Sequence, residues 1–497
     1  MSLPAHLDAI HQKIRGYAQE FGLDTYPTVF ECVSYDQMNM IASYGGFPTR
    51  YPHWKFGMEY EQLSKHQEYG LSKIYELVIN NDPCYAYLLA ANPDVDQKLV
   101  MAHVYGHNDF FKNNFSFAHT DRKMMDTTAN HATKIRRYID KYGIDRVESF
   151  IDKALSIENL IDRQSPYIKR RDVKKKVAER DAPMGEVPVL PTYREYMRPY
   201  INPDDFVEAQ KKKMEEERDK ERRFPEHPER DVMLFMMEYA PLENWERDIL
   251  GMLREEAYYF LPQGQTKIMN EGWASYWHTT IMTQRAMDDS EVLDYADRHA
   301  GTMGVQPGRI NPYKLGLELF RDIEERWNKG QFGKEWEDCD DIQVRKAWDT
   351  QSGLGREKIF EVRRHYNDIT FIDAFLTPEF AHEQKMFNYD FNKKSGSWEI
   401  VTREFRAIKA KLLQSLTNFG QPFIEIVDGN FENKGELLIR HINEGIDLRD
   451  DYMRDTMSHI FGLWTRPIVL ATCREKREIL VKFDGSEFSE KEGTIDT

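Results

Sequence analysis

The chain has 497 residues, 40% hydrophobic and 31% charged: enough apolar side chain for a sizeable core under a charged surface, which excludes disorder throughout. Its formal charge of −16 excludes a general nucleic-acid binder, because that affinity comes from Lys and Arg displacing counterions from phosphates. With no basic-then-apolar leader at the amino terminus and no apolar stretch long enough to span a bilayer, a cytoplasmic protein is expected.

Apolar residues at helical spacing predict helices over residues 6–21, 60–79, 97–113 and 127–142. A short strand or irregular piece is expected at 28–33, followed by turns at Gly45, Gly46 and Pro48. Residues 1–164 thus form an N-terminal helical segment. The four cysteines, Cys32, Cys84, Cys339 and Cys473, are scattered without a CxxC pair, so neither a disulfide framework nor a thiolate zinc site is expected, and Cys84 reads as a small buried hydrophobe.

From 165 to 230, charge runs such as Lys174-Lys175-Lys176 and repeated prolines predict a solvated, partly helical linker or insertion, too poor in apolar residues to offset ordering. Residues 231–415 return to helical periodicity at 232–239, 245–261, 268–286, 290–299, 313–327 and 352–375. Beyond 416 the pattern changes to short alternating runs at 422–427, 436–440, 467–471 and 479–483, with an Asp428-Gly429 turn and a helix over 451–463. The expected fold is mainly α, with a small C-terminal α+β domain over 416–497.

Two histidines, His103 and His107, stand four apart in a predicted helix, so their imidazoles lie about 40° apart around it and can face one metal ion. Gly106 between them costs about 1 kcal/mol against Ala, which is tolerated where another group approaches the backbone closely. A second constellation places Glu271, Ser275 and His278 at i, i+4 and i+7, among Trp273, Tyr276 and Trp277. Wrapped by aromatic rings, such a carboxylate and imidazole each need a partner charge or a metal. The alternative is a buried Glu–His hydrogen bond that only fixes packing.

A third group, Arg254-Glu255-Glu256, could add a ligand or general base if it packs against the Glu271 helix, or could form surface salt bridges. Adjacent residues point about 100° apart, so at most one of the two glutamates faces a given site. His299, Asn311, Tyr313, Arg363 and Asp368 belong to looser polar clusters read as supporting. No P-loop, GxGxxG or GxSxG motif is present.

The stretches APLENWERDIL (240–250), REEAYYF (254–260), TKIMNEGWASYWH (266–278) and NPYKLG (311–316) resemble the stage V sporulation protein R (SpoVR) family, and residues 103–115 and 463–472 fit it as well. The resemblance spans nearly the whole chain. It implies a cytoplasmic protein associated with spore cortex formation, found also in bacteria that make no spores. There it is linked with a serine protein kinase and a co-encoded protein in stress or stationary-phase physiology.

More distantly, Asn270-Glu271-Gly272-Trp273-Ala274 is similar to the segment of helical zinc peptidases that supplies a third metal ligand, which implies a zinc-peptidase-like helical core. That likeness implies His103, His107 and Glu271 around a divalent metal, zinc, with an open position for water, as a hydrolase of amide bonds requires. Those peptidases carry Glu directly after the first His. Here that position is Val104, so proton transfer falls to Glu256, His278 or Glu255. The reading from another class is a non-catalytic regulatory adaptor of the kinase system.

Overall fold

The computed structural model describes residues 3–68, 76–168, 190–221, 224–306 and 308–493; the Lys174 run lies outside them. The protein is mainly helical and carries a C-terminal sheet domain. It divides into two compact units, one of residues 1–141 and 259–420, the other of 142–258 and 421–497.

In the first unit, helices Ala5–Glu20, Asp94–Asn113 and Met124–Tyr142 form close to their expected places. A three-stranded sheet joins β1 (Thr28–Val33), β2 (Glu76–Ile79) and β3 (Cys84–Leu89) in the order β1-β3-β2, with β3 parallel to β1 and antiparallel to β2. The helix expected over 60–79 is therefore too long. It runs Trp54–Glu68, and Leu77-Val78-Ile79 pairs as strand instead. A short apolar run is ambiguous by periodicity alone, and here the β-branched pair settles onto a pleated surface against Tyr85 and Ala86. Cys84, at the start of the central strand, is buried as expected, and burial pushes its thiol up to about 12.

The core of this unit is the helix Lys267–Ile281, packed between Asp94–Asn113 and Pro312–Asn328. Trp273, Trp277, Phe110, Phe117, Phe320 and Phe371 are fully buried around it. On both sides the contact is backbone to backbone. A Cβ on Gly106 would lie 2.6 Å from Ala274 Cα, and one on Gly316 would lie 2.1 Å from the Ile268 carbonyl oxygen and 2.6 Å from Gly272 Cα. The close approach expected at Gly106 is thus made by the Glu271 helix itself. That helix is held at its amino end by Asp368, whose carboxylate accepts the Ile268 and Met269 N–H groups at 2.8 and 2.9 Å. The 352–375 helix is broken in two, Gly355–His365 and Asp368–Phe375, where Asn367 caps the second half. A hairpin, β4 (Asn388–Asn392) and β5 (Ser397–Thr402), precedes the helix Phe405–Leu416.

The second unit holds helices Ile144–Leu155, Asp204–Glu221 and Val232–Tyr239 and a five-stranded sheet. Its strands are β6 (Phe423–Phe431), β7 (Glu436–Ile442), β8 (Ile468–Arg474), β9 (Arg477–Phe483) and β10 (Phe488–Glu492), in the order β10-β9-β8-β7-β6. Only β7 and β8 pair in parallel, joined through the helix Asp450–Trp464; the other pairs are antiparallel. Asp428-Gly429 is not the hairpin turn: β6 runs through it as a bulge, and the chain reverses at Glu432-Asn433, both at positive φ. The glycine serves close packing there, since a Cβ on Gly429 would collide with the Phe224 ring. Strand β10 carries only charged and polar residues after Phe488 and so lacks an alternating apolar signal. Asp231, fully buried, caps Val232–Tyr239 and binds Arg254 and the Tyr258 hydroxyl, each at 2.7 Å, so Arg254 has its charge partner within this unit. No helix among the described residues is long and apolar enough to cross a membrane.

Candidate metal centre

The Asp94–Asn113 helix is buried on every side from Val100 to Phe111, which puts the polar groups of its middle turns in a dry environment. His103 and His107 point from it towards Glu271. Their Nε2 atoms lie 3.6 and 3.5 Å from Glu271 Oε2, and the three donor atoms are all within 4.8 Å of one another. Two ligands held about 2.0–2.1 Å from a tetrahedral ion stand about 3.3 Å apart, so this triangle is slightly wider than a bound ion needs. It is too wide for hydrogen bonds. Glu271 Oε2 is buried and accepts none among the described residues.

The far sides of both imidazoles are occupied. His107 Nδ1 lies 2.9 Å from Asn270 Oδ1, an acceptor, so Nδ1 carries the proton and Nε2 is bare. His103 Nδ1 lies 2.8 Å from His278 Nδ1, and one of the two donates. Burial, with the neighbouring His103, His299 and Arg321, holds His278 well below the usual histidine range, so it is neutral and can accept. His278 Nε2 in turn stands 3.5 Å from His299 Nδ1. With the proton on His103 Nδ1, both histidines present bare Nε2 atoms to Glu271, the orientation that outer hydrogen bonds impose on metal-binding imidazoles. Burial pushes the Glu271 carboxyl up, but imidazoles that carry a proton on Nε2 outweigh it and hold the group well below the carboxylate range; once both Nε2 atoms are bare, a cation would have to take over that role.

The structure therefore gathers His103, His107, Glu271 and His278 in the first unit. Glu255 and Glu256 belong to the second, the former exposed and the latter buried. Ser275 is fully buried, and its hydroxyl makes no hydrogen bond among the described residues. Tyr313 stacks on His103, with ring centroids 6.1 Å apart. Asn270 is the residue whose role sequence reasoning missed: adjacent positions of one helix supply a carboxylate and the acceptor that aims a histidine at it.

Asp109 ties the site to its frame. Trp273 Nε1–H donates to its Oδ2 and the Asp24 N–H to its Oδ1, both at 2.8 Å, and Arg363 lies 3.4 Å from Oδ2. Burial pushes this carboxyl up to about 6 against those three partners. Replacing it strands a buried guanidinium and an indole N–H, so Asp109→Ala is expected to cost about 3–5 kcal/mol of stability, read as a shifted urea midpoint.

A mainly helical protein that closes two histidines and a glutamate around a buried carboxylate oxygen is the class this fold and site define. The chain belongs to the SpoVR family: the family described as SpoVR like protein matches residues 2–421, and the SpoVR-like C-terminal domain matches 422–475. A relative from Escherichia coli (strain K12), described as "Uncharacterized protein YcgB", is 31% identical over an alignment of 506 positions that covers 95% of this chain and 93% of the relative. No solved structure matches the chain.

Proposed function

We propose that the protein is a metal-dependent hydrolase of amide bonds, with His103, His107 and Glu271 holding a divalent ion, zinc by its donor set. The observation that carries this reading is Glu271 Oε2, buried, accepting no hydrogen bond among the described residues and facing two Nε2 atoms at 3.5 and 3.6 Å. A buried carboxylate oxygen that faces two imidazoles without a hydrogen bond to either is costly, and a cation held among the three would remove that cost. The two-His, one-carboxylate set is the one catalytic zinc helices use, which favours a zinc-peptidase-like arrangement of the core.

A bound ion would supply Lewis acidity towards an amide carbonyl. The chain's own residues do the rest. Asn270 and His278 fix the two imidazole tautomers, while the Phe111 ring stacks on His107 and the Tyr313 ring on His103. Val104 offers no base beside His103, so proton transfer is assigned to His278, which touches a ligand. The family's name points to sporulation, and its wider associations suggest an amide of a cell-wall precursor or peptide as the substrate class, in a cytoplasmic setting shared with a serine protein kinase and a co-encoded protein.

The test is hydrolysis of a panel of acyl-peptides and cell-wall precursor amides by zinc-loaded protein. Turnover abolished by a chelator and reduced at least about 1,000-fold in Glu271→Gln supports the reading; a fully loaded protein that cleaves none of them sinks it in favour of the regulatory adaptor.

A further inference from the structure

Elsewhere in the first unit a cavity of about 480 Å³ opens between the loop before the Pro312–Asn328 helix, the start of the β4–β5 hairpin and the Phe405–Leu416 helix. That volume is in the range of small-molecule sites. Its charged lining is one-sided: Arg309, Lys314, Lys385 and Lys411 contribute to it, and no Asp or Glu does. Acidic residues outnumber basic ones 84 to 68 in this chain, so four cations without a carboxylate reverse the general bias. None of the four is paired with a carboxylate among the described residues.

Unpaired cations gathered around a concave space repel one another, a cost that an anion entering the cavity removes. The helix Pro312–Asn328 adds to the same field, because Asn311, its cap, and Lys314, in its first turn, both line the cavity, so the positive end of the helix faces it. Much of the remaining wall is apolar, including Met386, Phe387, Ile408 and Leu412, interspersed with polar side chains such as Gln384 and Asn388. A bare inorganic anion would leave that wall in contact with water, whereas an apolar body would cover it.

We propose that this cavity binds an amphipathic anion, a small molecule with an apolar body and a carboxylate or phosphate head. The head meets the four cations and the helix end; the body lies against Phe387 and Leu412. This site uses none of the residues around Glu271, and it stands whether or not the protein is a hydrolase.

The experiment is fluorescence titration of the full-length protein with anilinonaphthalene sulfonate, an aromatic body bearing one negative charge, and with N-phenyl-1-naphthylamine, a comparable body without it. One equivalent of the sulfonate is expected to bind at least about tenfold more tightly than the neutral probe. The double variant Lys314→Glu/Lys411→Glu is expected to lose at least about tenfold in sulfonate affinity and little for the neutral probe. Ser415→Trp, at an exposed position on the rim, is expected to weaken both. Displacement by octanoate or by octyl phosphate then tells which head the site takes. Equal affinity for the two probes, unchanged binding in either variant with circular dichroism preserved, or displacement by neither competitor overturns the proposal.

Discussion

Protein purified, stripped with chelator and dialysed against zinc is expected to retain one equivalent of metal per chain, and His107→Ala and Glu271→Ala to retain less than about a tenth of an equivalent. With only three protein donors in the set, loss of one removes a third of the coordination the chain can offer. Asn270→Ala keeps every ligand but frees the His107 ring, and outer-sphere losses of this kind cost about 10–100-fold in metal affinity. It should therefore load at high zinc and empty on dilution.

Glu271→Gln separates a metal site from a merely structural contact. If the carboxylate only pairs with two histidines, neutralising it breaks a buried ion pair and costs about 3–5 kcal/mol. If it waits for a cation, the amide removes an uncompensated buried charge, and the metal-free protein is left as stable as before or more so. The variant then loses only the stabilisation that zinc confers on the parent, which grows with the logarithm of free zinc. Calorimetric melting with and without metal reads both. A parent chain that binds no divalent ion stoichiometrically, or variants that load as well as the parent, would falsify the site.

The half of this site that lies on one helix was legible in the sequence, because ligands four residues apart are a local pattern fixed by helix geometry. The other half was not. Glu271 lies 164 positions beyond His107, and nothing in periodicity brings the two together; its nomination came from the likeness of the Asn270–Ala274 stretch to a known ligand segment. The same limit applies to Asn270, Asp368 and Asp109, whose roles are distances to residues far along the chain. Their signal was only that polar groups stood in apolar surroundings. Helix positions were legible where the apolar stripe was long, as at Val232–Tyr239 and Pro312–Asn328. They failed where the run was short, as at Leu77-Val78-Ile79, and where a turn dipeptide served packing, as at Asp428-Gly429.

The other large effect is expected from a single methyl group. Gly→Ala inside a helix ordinarily stabilises by about 1 kcal/mol, because alanine loses less backbone freedom on folding. Gly16, in the middle of Ala5–Glu20, has open space where a Cβ would stand, and Gly16→Ala should follow that rule. Gly316→Ala should reverse it. Its Cβ would stand 2.1 Å from the Ile268 carbonyl oxygen, and both colliding groups are backbone, so no side chain can swing aside. The Pro312–Asn328 and Lys267–Ile281 helices must separate, opening the interface that buries Phe320 and Trp273. A loss of about 3 kcal/mol or more is expected, at the upper end of overpacking costs, and the urea midpoint should fall while Gly16→Ala raises it. The shift also carries Glu271, one residue from the Gly272 contact, relative to two histidines anchored on a different helix. Gly316→Ala should therefore lose metal affinity although it touches no ligand. Equal and small stability changes in the two variants would mean that these helices are not in backbone contact at Gly272 and Gly316.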